Sequence, residues 1–255
     1  MIALWRTAPL LLAVMSDIHA NVEALSACLA DARAAGVERF AFLGDIVGYG
    51  ADPDAVTDIV MEHARNGAVV VKGNHEEALH CTADNQNGSA TTAIAWTRQR
   101  LTPRHIEFLD ALPMCVRERE ACFVHASAES PGKWDYVDSA SAAERCALAA
   151  AAPCTFAGHT HEQRLFMTGA SERMAPFAPP PDIDIRLRAH RACVAIVGSV
   201  GQPRDGNPEA GYVIADMERR VLRFRRVPYD HFAAARKVRA AGLPEWLAYR
   251  LEHGV

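Results

Sequence analysis

Carboxylates, imidazoles and one carboxamide recur along this chain in short clusters, and all of them offer oxygen or nitrogen lone pairs to a divalent cation. The clusters are Ser16-Asp17-Ile18-His19, Gly44-Asp45, Gly73-Asn74-His75-Glu76, Phe123-Val124-His125-Ala126 and Ala157-Gly158-His159-Thr160-His161. Asp17 and His19 stand at i and i+2, as do His159 and His161. In an extended segment that spacing points both side chains to one side, so Asp17 and His19 can grip one ion from a single strand end, and His159 and His161 repeat the geometry. A lone D-x-H or a lone histidine is an ordinary surface or core feature. An ordered series of such clusters is not. No cysteine belongs to them, and mixed oxygen and imidazole donors suit Mn²⁺, Fe, Co²⁺, Ni²⁺ or Zn²⁺ without choosing among them.

Groups so far apart in sequence need a scaffold that gathers them. Each cluster follows an apolar run of strand length: Leu10 to Met15, Arg39 to Leu43, Ala68 to Val71, Ala121 to Val124 and Cys154 to Ala157. Helical runs at Val22 to Ala35, closed by Gly36, and Pro53 to Arg65, ending before Gly67, separate the first three. Alternating strand and helix is the pattern of an α/β protein with a largely buried sheet. In open α/β sheets, functional groups collect outside the carboxyl ends of the strands. Gly44, Gly73 and Gly158 each precede a ligand, where a residue without Cβ lets the chain turn sharply and approach the ions.

Further along, the pattern predicts helices over Thr91 to Leu101, Arg104 to Ala111, Ala140 to Ala151, Asp230 to Ala241 and Pro244 to Glu252. Strands are expected at Met114 to Val116, Arg164 to Met167, Val194 to Val197, Gly211 to Ala215 and Val221 to Val227. Pro103 breaks the first two helices apart. Asp230 suits an N-cap and Gly242 a C-terminal stop. Gly169 to Pro181, rich in proline, reads as a long hairpin, with an insertion over the site as the alternative. No repeat or linker interrupts the chain, so residues 1–255 are read as a single domain.

With 255 residues, half of them apolar, the chain can support one sizeable core. Its formal charge of −4 supplies no general positive field for nucleic acid or an anionic membrane. No nucleic-acid or membrane partner is therefore expected, and an acidic substrate needs a local source of positive charge. The basic run Arg219, Arg220, Arg223, Arg225 and Arg226 reads as a solvated strand face with local ion pairs. The cysteines, Cys28, Cys81, Cys115, Cys122, Cys146, Cys154 and Cys193, are odd in number and form no CxxC pair, as in the reduced thiols of a cytoplasmic protein. Arg6 followed by Leu10 to Met15 imitates a secretion signal, but the run is short and gives way to Ser16-Asp17 without a small-x-small site. No stretch reaches the roughly 18 apolar residues of a membrane span.

The ordered set D-x-H, G-D, G-N-H-E, H and G-H-x-H resembles the calcineurin-like metallophosphoesterase superfamily, with every element intact. Gly48-Tyr49-Gly50-Ala51-Asp52-Pro53, the Gly198 to Gly206 segment and Val227-Pro228-Tyr229-Asp230 resemble, within it, a bacterial and archaeal phosphodiesterase branch of YfcE type. The likeness covers nearly the whole chain, with Gly169 to Arg188 unmatched. It implies a four-layered α/β sandwich, two mixed sheets flanked by helices, with a dinuclear metal site at the strand ends. In that pattern Asp17, His19, Asp45 and His161 hold one divalent ion; Asp45, Asn74, His125 and His159 hold a second, and Asp45 bridges them. Two ions about 3.5–4 Å apart can hold a hydroxide between them and clamp a phosphoryl oxygen. Two carboxylates and one hydroxide leave such a centre net positive, which resolves how an acidic chain attracts an acidic ester.

His75 is not a ligand in the family pattern. It is expected to stabilise the transition state or protonate the leaving alkoxide, and the alternative is a structural histidine behind the ligands. Arg204 or the backbone N–H groups of its segment can meet a substrate phosphate, although a plain turn accounts for that segment as well. His63, His80, His105, His190, His231 and His253 fall outside the pattern, with His80 close enough in sequence to line the site. Trp96, Trp134 and Trp246 read as core or rim residues. The implied function is hydrolysis of a small phosphate ester by metal-bridged hydroxide, with a phosphodiester as the first choice. A phosphomonoesterase or a dinucleoside polyphosphate hydrolase is the alternative among enzymes, and a non-catalytic binding module on the same fold is the alternative outside them. Loss of catalysis should erode the ligands, and here all remain.

Overall fold

In the computed structural model, residues 11–80, 88–118, 120–169 and 172–255 are described; Arg6, Leu10 and Cys81 lie outside them. The first strand, β1 (Leu11–Met15), shows how the layers arise. Successive side chains of a strand face opposite ways, so Leu12 and Val14 enter one apolar cluster while Ala13 and Met15 enter another. A strand apolar on both faces has to lie between two layers. It leads into α1 (Val22–Ala34), capped by Asn21 Oδ1 accepting from Ala24 N at 3.1 Å. β2 (Arg39–Phe42), α2 (Pro53–Arg65) and β3 (Val69–Val70) follow, and β2 pairs in parallel with β1 and β3.

Next come α3 (Asn74–Ala78), α4 (Ser89–Arg100) and α5 (Pro103–Asp110). Pro103 takes the first helical position of α5 behind the Thr102 cap, where its missing N–H costs nothing, so it separates two helices. The chain continues through β4 (Cys115–Glu118), β5 (Ala121–Val124), α6 (Ala140–Ala150), β6 (Cys154–Ala157), β7 (Gln163–Thr168), β8 (Met174–Phe177) and β9 (Asp184–Arg186). It ends with β10 (Cys193–Val197), β11 (Ala210–Asp216), β12 (Val221–Val227), α7 (His231–Ala240) and α8 (Glu245–His253). Asp230 caps α7 by accepting from Ala233 N at 2.8 Å, and Gly242 follows its end at φ +71°, as the sequence predicts.

One sheet has the order β3-β2-β1-β11-β12-β9, the other β4-β5-β6-β10-β7-β8, and both mix parallel with antiparallel pairs. Val14, Leu43, Phe123, Phe156, Val197 and Phe224 share the core between them. On the outer face of the first sheet Met15, Phe42 and Tyr212 pack with Leu25 of α1 and Val60 of α2. On the outer face of the second, Val124, Phe166 and Ile196 pack with Ala143 and Cys146 of α6. The result is the four-layered sandwich of two mixed sheets flanked by helices.

The stretch that matched nothing in the family pattern joins the two sheets. β8 pairs antiparallel with β7 and makes the expected hairpin, and β9 then pairs antiparallel with β12 in the opposite sheet. Leu187, just beyond β9, is buried in the core between the sheets. The basic run on β12 and its turn is tied by ion pairs: Arg220 to Glu120 at 3.4 Å, Arg223 to Asp184 at 2.6 Å, Arg225 to Asp31 at 2.6 Å, and Arg226 to Asp205. The described cysteines are free thiols. Among the described residues no helix is long and apolar enough to cross a membrane.

Candidate metal centre

The loops after β1, β2, β5 and β6 and the start of α3 meet at one end of the two sheets. The extended geometry expected for each i, i+2 pair is not what the fold uses. Asp17 (φ 53°), His19 (φ 48°), Asp45 (φ 49°), His159 (φ 66°) and His161 (φ 63°) all adopt the left-handed conformation. That conformation is unfavourable for residues with a Cβ and persists only where the surroundings impose it. Here hydrogen bonds between distant loops impose it: Asp17 N donates to Gly44 O at 3.1 Å and His19 N to Asp45 O at 2.9 Å. Asp17 O in turn accepts from Gly201 N at 2.9 Å and Ser199 Oγ at 2.7 Å.

Two glycines permit this packing in different ways. Gly44 makes its turn at φ +86°. Gly158 is needed for close approach, since a Cβ there would stand 1.9 Å from Ser16 Oγ and 2.4 Å from Asp17 Oδ2.

The expected ligands converge. Ligand atoms of Asp17, His19, Asp45 and His161 all lie within 4.8 Å of one another, and so do those of Asp45, His125 and His159. His19 Nε2 is 3.1 Å from His161 Nε2, and His125 Nε2 is 3.1 Å from both His159 Nδ1 and Asn74 Oδ1. Asp45 Oδ2 lies between the two groups, 3.7 Å from His19 Nε2 and 3.4 Å from His125 Nε2. Two donors about 2.0–2.2 Å from one ion, at tetrahedral to octahedral angles, stand about 2.8–3.6 Å from each other.

The protonation pattern agrees with that geometry. His19, His125 and His161 each turn Nδ1 to a backbone carbonyl, those of Val47 at 3.3 Å, Leu43 at 2.7 Å and Gln202 at 2.5 Å. A carbonyl only accepts, so Nδ1 carries the hydrogen and each ring, once it is neutral, presents its Nε2 lone pair to the cluster. Asp17 Oδ1 is buried without a hydrogen-bond donor, whereas its Oδ2 accepts from His159 N at 2.9 Å. An unpartnered carboxylate oxygen beside converging imidazole lone pairs fits a divalent cation.

Burial works against every charge in the cluster. It pushes the Asp17 and Asp45 carboxyls up, but the facing imidazoles, chiefly His161 for Asp17 and His125 for Asp45, hold both below the usual carboxylate range. Burial, then the charges of His75 and His161, takes His19 well below an ordinary imidazole. Burial and His125 take His159 down to about 4. His125 moves the other way: burial lowers it, but the Asp45 and Asp17 charges overcome that and raise it to about 10.

His75 sits against the centre without joining either group. Its Nε2 is 3.9 Å from Asp45 Oδ2, its backbone N donates to Asp45 Oδ1 at 2.9 Å, and its ring packs edge-on against Tyr49 and His19 at 4.5 and 4.8 Å. Burial pushes it below its ordinary value, opposed by the Asp45 charge. His80 instead turns to Asp110 at 2.5 Å on the exposed surface, so its nearness in sequence does not carry into the centre.

Several residues at the site carry no signal in the motif reading. Glu76, 1% exposed, accepts from the backbone N–H groups of Asp45, Ile46 and Gly73 at 2.8 Å and of Val47 at 3.3 Å. It stood in plain view in G-N-H-E, but its partners lie 29 to 31 residues earlier for all but one bond. Tyr136 stacks on His159 at 4.3 Å, and Trp134 stands edge-on to His125 at 5.8 Å while its Nε1 donates to Glu77 at 2.6 Å. These two aromatics form a rim over the second group.

The calcineurin-like phosphoesterase superfamily domain matches residues 10–220. The chain belongs to this superfamily. An uncharacterized protein of Methanocaldococcus jannaschii is 32% identical over 252 residues, covering 94% of this chain and 97% of that one. The crystal structure of a metallophosphoesterase from Sphaerobacter thermophilus is 35% identical, covers 96% of this chain and 99% of its own, and superposes with a TM-score of 0.86. The E. coli phosphoesterase YfcE is 16% identical with a TM-score of 0.42, over 86% of this chain and all of its own. Calcineurin-like phosphoesterases are metal-dependent, and the Asp and His groups at the strand ends are where this member can bind metal ions.

Proposed function

We propose that the protein hydrolyses phosphodiesters at this centre, with Asp17, His19, Asp45 and His161 holding one divalent ion and Asp45, Asn74, His125 and His159 the other. The single observation that carries the reading is the position of Asp45 Oδ2 between two groups of converging donors. When bound, two such ions supply a water of lowered pKa as nucleophile and a positive clamp for the phosphoryl oxygens.

The chain does the rest. The carbonyls of Val47, Leu43 and Gln202 fix three imidazoles in the tautomer that faces inward. His75 presents Nε2 beside Asp45 and donates its proton to the leaving oxygen. Its ring is packed edge-on between Tyr49 and His19. Burial disfavours the charged ring, and the Asp45 charge favours it.

The test is hydrolysis of bis-p-nitrophenyl phosphate against p-nitrophenyl phosphate, with metal-stripped protein reloaded separately with Mn²⁺, Ni²⁺, Co²⁺ and Zn²⁺ and an Asp45→Asn control. Diester turnover that requires metal and vanishes in the control is expected. Monoester turnover alone moves the substrate to monoesters, and no turnover with two ions bound overturns the enzyme reading in favour of a binding module.

A further inference from the structure

The centre and His75 leave two guanidinium groups beside them without a role. Arg204 lies in the loop after β10, and Arg250 lies on α8, beyond the residues matched by the family domain. Arg204 donates from Nε and Nη2 to Gln202 Oε1 at 3.3 and 2.9 Å, and Arg250 Nη1 donates to the same oxygen at 3.3 Å. The carboxylates nearest in sequence are committed elsewhere: Asp205 to Arg226, and Glu245 and Glu252 to Arg239. Each guanidinium carries five N–H donors, so two full charges converge on one neutral amide oxygen. Arg250 Nε and Gln202 Nε2 are buried with no partner. Like charges held this close repel unless an anion lies between them.

Aromatic faces orient the pair. Arg204 stands over the Tyr49 ring at 5.7 Å and Arg250 over the Trp246 ring at 5.2 Å. The pair is also coupled to the centre. Tyr49 packs against both His19 and His75 at 4.5 Å, and the Gln202 carbonyl accepts from His161 Nδ1 at 2.5 Å. Two successive ring spacings therefore place the Arg204 guanidinium within about 10 Å of the His19 ring. That is the reach of a phosphate group lying beyond the one at the metals.

We propose that Arg204 and Arg250 form a second anion subsite and that the substrate is a phosphate ester carrying a further phosphate group. The assignment rests on the phosphoesterase reading for its reaction, and it concerns which esters are held well. Adjacent phosphates, as in a nucleoside diphosphate, and separated ones, as in a sugar bisphosphate, share this chemistry.

The metal-reloaded full chain is assayed for phosphate release from ADP against AMP and from fructose 1,6-bisphosphate against fructose 6-phosphate. Binding of α,β-methylene-ADP against AMP is followed by calorimetric titration. In the wild type, one doubly phosphorylated member should show kcat/KM about tenfold above its partner, mainly through KM, as charge-assisted hydrogen bonds to a guanidinium imply. The member that responds names the source. Arg204→Met and Arg250→Met should each reduce that ratio about tenfold, and Arg250→Lys should restore part of it. A merely structural role for Arg250 would alter both members of a pair alike. Ratios near one in both series, or ratios unchanged in the variants, overturn the subsite. If none of the four is turned over, bis-p-nitrophenyl phosphate hydrolysis by the same preparation decides the hydrolysis reading and the titration decides the subsite. Tighter binding of the methylene diphosphate that disappears in Arg250→Met supports the subsite, and equal binding overturns it.

Discussion

Glu76→Gln exchanges one buried carboxylate oxygen for an NH2 group at a position where four backbone N–H groups need acceptors. Oε2 accepts from Asp45 N and Gly73 N, both at 2.8 Å, and Oε1 accepts from Ile46 N at 2.8 Å and Val47 N at 3.3 Å. A glutamine retains one acceptor oxygen, and its nitrogen can only donate. Two backbone donors are then left facing a third. The pair holding the long Val47 bond is the cheaper one to lose, so the new amide nitrogen should face Ile46 and Val47. Glu76 is 1% exposed, so solvent does not replace the lost acceptor. Each buried donor without a partner costs about 1–3 kcal/mol, which makes the substitution worth about 2–6 kcal/mol. In a chain of this size each kcal/mol lowers Tm by about 2–4 °C, so a drop of about 4 °C is the least expected. Burial and the Asp45 charge push the Glu76 carboxyl up to about 7, so the comparison belongs at pH 8, where the carboxylate is ionised. Calorimetric unfolding of metal-free wild type and variant, with metal content after reloading, checks both consequences. A Tm shift under about 2 °C together with full metal loading would refute the claim that this carboxylate holds the Asp45 turn.

His75→Ala is expected to keep both metals and lose about 10²- to 10⁴-fold in turnover, and retained turnover measured beside metal content would assign His75 to structure alone. Raised to about 10, His125 holds a proton through neutral pH. The stabilisation from its pairing with Asp45 is therefore complete below the ordinary imidazole value and disappears as pH rises through about 10. Metal loading at pH 7 should consequently release about one proton from His125, seen by titration in buffers of different ionisation enthalpy; zero release contradicts the pairing. Gly158→Ala forces a Cβ to 1.9 Å from Ser16 Oγ and 2.4 Å from Asp17 Oδ2, and overpacking of this kind costs about 1–3 kcal/mol or more, with an unchanged urea midpoint as the contrary result. Deleting residues 1–16 removes β1, which is hydrogen-bonded to β2 on one side and β11 on the other. The truncated chain should not fold, and a soluble, active truncated protein would overturn that.

Local sequence was enough for the parts of this protein that depend on neighbours in the chain. Leu12 and Val14 against Ala13 and Met15 announce a strand buried on both faces, and Pro53 to Arg65 is a helix between the same limits in sequence and in space. The order of ligand clusters after strands was equally legible, because a parallel sheet brings successive strand ends to one edge whatever the loops do. Conformation at those ends was not. Asp17 and His19 converge through two left-handed residues rather than an extended strand, because Gly44, Ser199 and Gly201 hydrogen-bond to the Asp17 backbone from elsewhere in the chain. Whether Gly169 to Pro181 made a hairpin or an insertion over the site was decided by pairing register, β8 on β7, after which β9 pairs with β12. Arg250 belongs to no motif, and its meaning arises only where α8 brings it to Gln202 beside Arg204. Which atoms can donate to a metal is a property of residue type and is written in the sequence, whereas which charges are left unanswered depends on distances that only the folded chain sets.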